Sequence, residues 1–146
     1  MAKWYFDTPV LVAASVTEHE HNFRAKSILN ELQDDQHMGY MSAHSLTEVY
    51  SVLTRVPFTP RVYPADAMRA IEERILSRMT LVSLDETEYV EVVRRAAREG
   101  WIGGRIHDAI HVQCAAKSNC DRIYTFNLRD FRAIAPPDLA PRISAP

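Results

Sequence analysis

Cysteine is scarce in this chain, and the little there is excludes a disulfide framework. Its 146 residues include two cysteines, Cys114 and Cys120, too few to staple a small secreted fold. Cys114 sits among Ala109, Ile110, Val112 and Ala115, the setting of a small core residue, and such usage suits a reducing cytoplasm. Long apolar runs are also missing. The longest is "VLVAA" at 10–14, far short of the roughly 20 residues of a membrane-spanning helix. The opening "MAKWYFDTPV" has one lysine and then an acid where a signal peptide would carry an apolar stretch. Nor is there a basic excess: 17 Lys and Arg face 19 Asp and Glu, for a net charge of −2. That removes the simplest signature of a nucleic-acid binder, but not a local basic patch or phosphate binding through a metal. No low-complexity tract, block of like charge, repeat or linker divides the sequence. Residues 1–146 therefore read as one domain, with a core over about 3–135 and a Pro-rich C-terminal tail.

Hydrophobic residues make up 47% of the chain, and their spacing predicts alternating strands and helices. "KWYFD" (3–7) reads as a buried strand ending at an acid. "TPVLVAAS" starts a helix, with Thr8 as a cap and Pro9 in the first turn, where a missing N–H costs nothing. A second helix covers 21–33, with Phe23, Ile28, Leu29 and Leu32 on its apolar side. "HMGYMS" (37–42) is the next strand; the helix after it carries Leu46, Val49, Tyr50 and Leu53 as a stripe. A Pro-broken loop (56–64), a helix (65–78) and a third strand (79–84) follow. Asp85 caps a helix ending at Gly100. "WIGGR" is a turn, the helix of about 105–117 comes next, and "DRIYTF" (121–126) is the fourth strand. The tail has room for one short edge strand. This alternation predicts an α/β fold with a central, mainly parallel sheet of four to five strands and helices on both faces.

Ligands of such sheets sit beyond the carboxyl ends of the strands, which makes certain acids informative. Asp7 ends the first strand; Glu48 lies early in the helix after the second. Asp108 is in the first turn of the helix before the fourth strand, and Asn127 and Asp130 follow that strand. Clustered carboxylates repel, so such a group holds a cation, and hard oxygens suit Mg²⁺ or Mn²⁺. Taken singly, each acid also fits a helix cap or solvated first-turn residue, and spacing does not choose.

The segments "WYFDTPVLVAAS", "LTEVYSVLTRVP", "HDAIHVQCA" and "IYTFNLRDF", in this order, resemble the four motif regions of PIN-domain ribonucleases, above all VapC-type toxins of toxin–antitoxin pairs. The resemblance covers about residues 3–135. It implies an α/β/α PIN fold and a metal-dependent endoribonuclease whose catalytic acids are Asp7, Glu48, Asp108 and Asp130. Asp7, Asp108 and Glu48 would hold Mg²⁺ or Mn²⁺, joined by Asn127 or Asp130. Asn127 stands where many PIN domains have an aspartate, and Pro9 where they have a small polar residue. Also implied are an RNA substrate, a cognate antitoxin whose tail enters the acidic site, and a homodimer, with helices 21–33 and 65–78 offering apolar surface. Two other classes fit the same residues: a PIN-like binding module whose catalysis has decayed, and a phosphoesterase acting on other nucleic acids.

Around these acids stand residues with weaker signals. His107 and His111, four apart, mimic a zinc-protease pair, but Asp108 is shorter than the required Glu and no third ligand follows. His111 reads as a half-buried packing residue, and His107 as a surface residue or a phosphate contact. Arg105, one turn before Asp108, is a substrate-binding candidate. Arg94, Arg95 and Arg98 with Trp101 form either a basic rim for single-stranded RNA or a solvated face balanced by Glu88, Glu91 and Glu99. Arg55 and Arg61 flank a Pro-bounded loop, and His19 and His21 read as surface loop.

Overall fold

The computed structural model describes residues 1–34 and 36–146. Five strands form one sheet: β1 (Ala2–Phe6), β2 (His37–Ser42), β3 (Met79–Val82), β4 (Arg122–Tyr124) and β5 (Ile143–Ser144). Their order is β3-β2-β1-β4-β5, and every pair is parallel. Parallel neighbours need crossovers, which the helices supply. These are α1 (Thr8–Ser15), α2 (Asn22–Asn30), α3 (His44–Arg55), α4 (Pro64–Ala70), α5 (Glu86–Glu99), α6 (Arg105–Lys117) and α7 (Leu128–Ile134). None is long and apolar enough to cross a membrane.

The pleat of β1 divides the core. Trp4 and Phe6 face one buried cluster with Val10, Leu11, Leu29, Val49 and Ile75; Tyr5 faces the other with Val112, Cys114, Ile123 and Phe131. Successive side chains on a strand point to opposite faces, so one five-residue strand anchors both helical layers. Both cysteines are free and buried, and burial pushes the Cys120 thiol up to about 11.

Local chemistry set several boundaries as expected. Asp85 and Glu88 form a reciprocal capping box at the start of α5, and Gly100 ends that helix at φ 73°, where a Cβ would be strained. Gly103 also has positive φ (62°), whereas Gly104 is ordinary at −66°.

Other expectations need correction. Asp7, not Thr8, caps α1: its Oδ1 accepts from the Thr8 amide at 2.8 Å, because a carboxylate one residue earlier reaches the free N–H first. The helix over 65–78 is α4 continued by a π-helical segment, Ile71–Leu76. Strand β4 stops at Tyr124, since Thr125 turns its hydroxyl to the site described below. Phe23 is 83% exposed and Tyr50 38%; helical spacing put them on apolar stripes, but Phe23 lies largely in solvent and Tyr50 is only partly covered.

Candidate active site at the sheet edge

Strand β1 lies at the centre of the sheet, where the chain order reverses: β2 and β3 are on one side, β4 and β5 on the other. The crevice beyond the carboxyl ends of the strands at such a reversal is the ligand position of open α/β sheets. Asp7 follows β1 there. The first turn of α6 returns to the same edge because a helix joining parallel strands runs antiparallel to them, and it brings Asp108. The loop after β4 brings Thr125, Asn127 and, in the first turn of α7, Asp130. From the other side, α3 brings Ser45 and Glu48.

Side-chain contacts join these residues into one network. The Asp7 carboxylate, 4% exposed, accepts from the Thr8 amide through Oδ1 and from the Thr125 hydroxyl through Oδ2 at 2.9 Å. Thr125 Oγ1 in turn accepts from the Asn127 amide at 3.0 Å. The Asn127 side-chain nitrogen donates to Asp108 Oδ2 at 3.3 Å and to Asp130 Oδ2 at 3.2 Å. The Thr8 hydroxyl lies 2.8 Å from Ser45 Oγ and donates to Glu48 Oε1 at 3.3 Å. Thr8 thus places a hydroxyl at the acids although Pro9 supplies none.

His111 is 5% exposed and belongs to this network, which corrects its reading as a half-buried packing residue. Its Nδ1 is 2.7 Å from the Tyr5 hydroxyl; its Nε2 is 3.5 Å from Asp7 Oδ1 and 3.6 Å from Glu48 Oε1. It stands one helical turn deeper than Asp108, on the same face. The i+3 spacing from Asp108 was the one local signal that could have found it; the decisive partner, Tyr5, is 106 positions away. His107 is exposed. Arg105 reaches Asp130 Oδ1 at 3.5 Å, which sets it at the rim.

The electrostatics are those of an under-compensated anionic cluster. Burial, then the Glu48 charge, raises the pKa of Asp7 against the lowering pull of His111 and its hydrogen bonds. Burial, then the charges of Asp7 and Asp130, raises that of Asp108. Burial pulls His111 down, yet its contact with Glu48 and the charges of Asp7, Glu48 and Asp108 together lift it above the usual value. Glu48 is lowered, first by His111. Two carboxyls held above their ordinary range at one open edge are a site that a cation would relieve. Among the described residues, no three His, Cys, Asp or Glu side chains close into a cage. The carboxylates and hydroxyls gathered at the edge are hard oxygens, and an open oxygen set fits Mg²⁺, which keeps several waters and takes few protein ligands.

The arginines around Trp101 resolve differently. Arg95 stacks on Trp101, 5.0 Å from the ring centroid, and donates to the Ile134 carbonyl at 2.7 Å. Arg94 and Arg98 pair with Glu91. They form a balanced helix face.

The chain matches the PIN domain family over residues 4–136. It is 35% identical over 128 residues to Ribonuclease VapC40 of Mycobacterium tuberculosis, covering 88% of this chain and 87% of that one. It is 36% identical over 81 residues to Ribonuclease VapC27 of the same organism, covering 56% and 57% of the two chains. Among solved structures it resembles VapBC2 from Rickettsia felis bound to a DNA fragment from its promoter, with a TM-score of 0.69, 18% identity and 98% of both chains covered. It also resembles VapC20 of M. tuberculosis, a Sarcin-Ricin loop cleaving toxin, with a TM-score of 0.67, 17% identity and 89% and 94% covered.

Proposed function

The chain belongs to the PIN domain family, and on that premise we propose that it is a divalent-metal-dependent endoribonuclease, the toxin of a type II toxin–antitoxin pair. The observation that carries this reading is the gathering of Asp7, Glu48, Asp108 and Asp130 at the switch point of the sheet, linked through His111, Thr125 and Asn127. The ribonuclease names of its relatives support an RNA phosphodiester as the substrate.

In this reading Asp7 and Asp108 would hold the principal Mg²⁺ or Mn²⁺, with Glu48 contacting it directly or through water. Asp130, with Asn127, would serve a second ion or orient water. A bound ion of this kind lowers the pKa of a coordinated water and offsets charge developing on the phosphate. The protein's task is preorganisation. Thr8 and Thr125 fix the Asp7 carboxylate through both oxygens. Tyr5 fixes the His111 ring, so that its Nε2 side faces Asp7 and Glu48 and tempers their repulsion. The Asn127 amide spaces Asp108 from Asp130. Arg105 and His107 are the residues that would meet substrate phosphates, a role supported by their exposure beside the acids. His111 is buried, with Tyr5 at Nδ1 and Asp7 and Glu48 facing Nε2, so it is not free to act as a base on the RNA 2′-hydroxyl.

The reading extends to a cognate antitoxin that covers the acidic edge, to a homodimer, and to a cytoplasmic setting. The solved neighbour that pairs a toxin with its antitoxin supports the first of these. The deciding experiment is cleavage of cellular RNA by purified wild type and Asp108→Asn, with sequencing and chemical analysis of the new ends. Metal-activated water leaves 5′-phosphate and 3′-hydroxyl ends, and Asp108→Asn makes none. Cyclic phosphate ends, or undiminished cleavage by Asp108→Asn, would overturn the assignment.

A further inference from the structure

Beside the acid edge lies a feature that this chemistry does not use, a short ladder of aromatic rings. His21 stacks on Phe126 with centroids 4.6 Å apart and planes 28° from parallel. His19 stands 5.8 Å from His21, tilted by 44°. Phe126 lies between Thr125, which donates to Asp7, and Asn127, which donates to Asp108. The inner end of the ladder is therefore one residue, about 3.8 Å of backbone, from two members of the acid network.

The ladder is held from below. Asn22 donates its side-chain amide to the Ala13 carbonyl at 2.9 Å, tying the start of α2 to α1. The His21 amide donates to His19 Nδ1 at 3.1 Å, and Phe126 packs against the first core cluster. The edge of the His21 ring meets Glu20 at 3.4 Å, while its side chain stays 39% exposed. One face of that ring is taken by Phe126, while His19 is tilted to it rather than stacked in parallel. Phe23, two residues on, is also largely in solvent.

We propose that the His21–Phe126 stack, with the exposed Phe23 two residues on in the chain, seats an unpaired nucleobase of single-stranded RNA next to the acid edge. The proposal rests on the ribonuclease reading and adds a substrate-positioning surface to it. Ring faces suit bases rather than phosphates, and stacking accepts every base because each has a π face. The surface therefore favours unpaired over duplex RNA, in which bases are already stacked.

The test uses short single-stranded RNAs of mixed sequence carrying 2-aminopurine at successive positions. They are bound to full-length Asp108→Asn protein in Mg²⁺, alone or combined with His21→Ala, Phe23→Ala or His21→Phe. The expected result is fluorescence quenching at one position. His21→Ala abolishes it and weakens binding roughly five- to 150-fold, Phe23→Ala weakens it less, and His21→Phe restores it. Circular dichroism confirms that the variants fold. Quenching that is absent, or unchanged in both alanine variants, overturns the proposal. Cleavage by the protein with Asp108 intact is scored separately, so a cleaving enzyme without His21-dependent quenching loses the ladder and keeps the ribonuclease reading. Quenching without cleavage does the reverse.

Discussion

Two charged regions of this molecule make a useful contrast. On the outer face of α5, Glu91 meets Arg94 and Arg98, Glu88 meets Lys117 at 2.6 Å, and Arg95 lies over Trp101. Each charge has a counter-charge or a ring close by, largely in water, where such pairs contribute little. At the sheet edge, Asp7 is buried, and Asp7 and Asp108 are pushed above their ordinary pKa. Their cationic neighbours are a shared imidazole and, for Asp130, a rim arginine. Charge that the fold balances within itself is structure. On the proposed reading, charge that the fold collects and leaves unbalanced is held for a metal ion.

The largest expected effect comes from breaking the unbalanced region. Asp7→Asn keeps the size of the side chain but removes the charge, and should lower kcat for RNA cleavage by about a thousandfold or more, the several kcal/mol of metal stabilisation at one decade per 1.36 kcal/mol. Timed cleavage assays beside far-ultraviolet dichroism check this, and a folded, fully active variant would remove Asp7 from the site. Next in size is metal linkage. Mg²⁺ or Mn²⁺ at a hundred times its Kd should stabilise wild type by about 2.7 kcal/mol, seen as a rise in Tm, while Asp7→Asn and Asp108→Asn show none. An equal rise in all three proteins would place the ion elsewhere.

A smaller effect separates acids within the edge. In metal-free protein, Asp7 has a raised pKa, mainly from burial. Its contribution to stability is complete below the unfolded carboxylate value of about 4 and is lost as pH rises through the folded value. Glu48 is lowered, so its contribution is present above the unfolded value of about 4 and lost as pH falls through the folded one. Across pH from about 2 to 7, Asp7→Asn should gain stability relative to wild type as pH rises above about 4, and the deficit of Glu48→Gln should shrink as pH falls below about 4. Urea unfolding in chelator across that range reads both slopes; parallel curves would mean that neither carboxyl is perturbed. The smallest effect belongs to the balanced region: Glu91→Gln should change stability by no more than about 0.5 kcal/mol and leave cleavage intact. A marked loss of cleavage would bring that face into RNA binding after all.

Much of the fold was legible before any coordinates. The apolar periods of "KWYFD" and "HMGYMS" marked strands, and Asp85 and Gly100 marked both ends of α5, because caps and periods are local. The acids were legible as acids following strands or opening helices. His111 was not, because its role depends on Tyr5 from the other end of the chain. Phe23 was misplaced because helical spacing reports which residues share a face, not whether anything packs over it.

The sequence by itself therefore determined the order of strands and helices, the two ends of α5, and the candidate acids, since each follows from neighbours a few residues away. Only the tertiary structure decided that β1 is central, that all five strands run parallel, and that Thr125 meets Asp7 across 118 positions. Crossover connections set which strand ends share an edge. Convergence at that edge turns four ordinary carboxylates into one site.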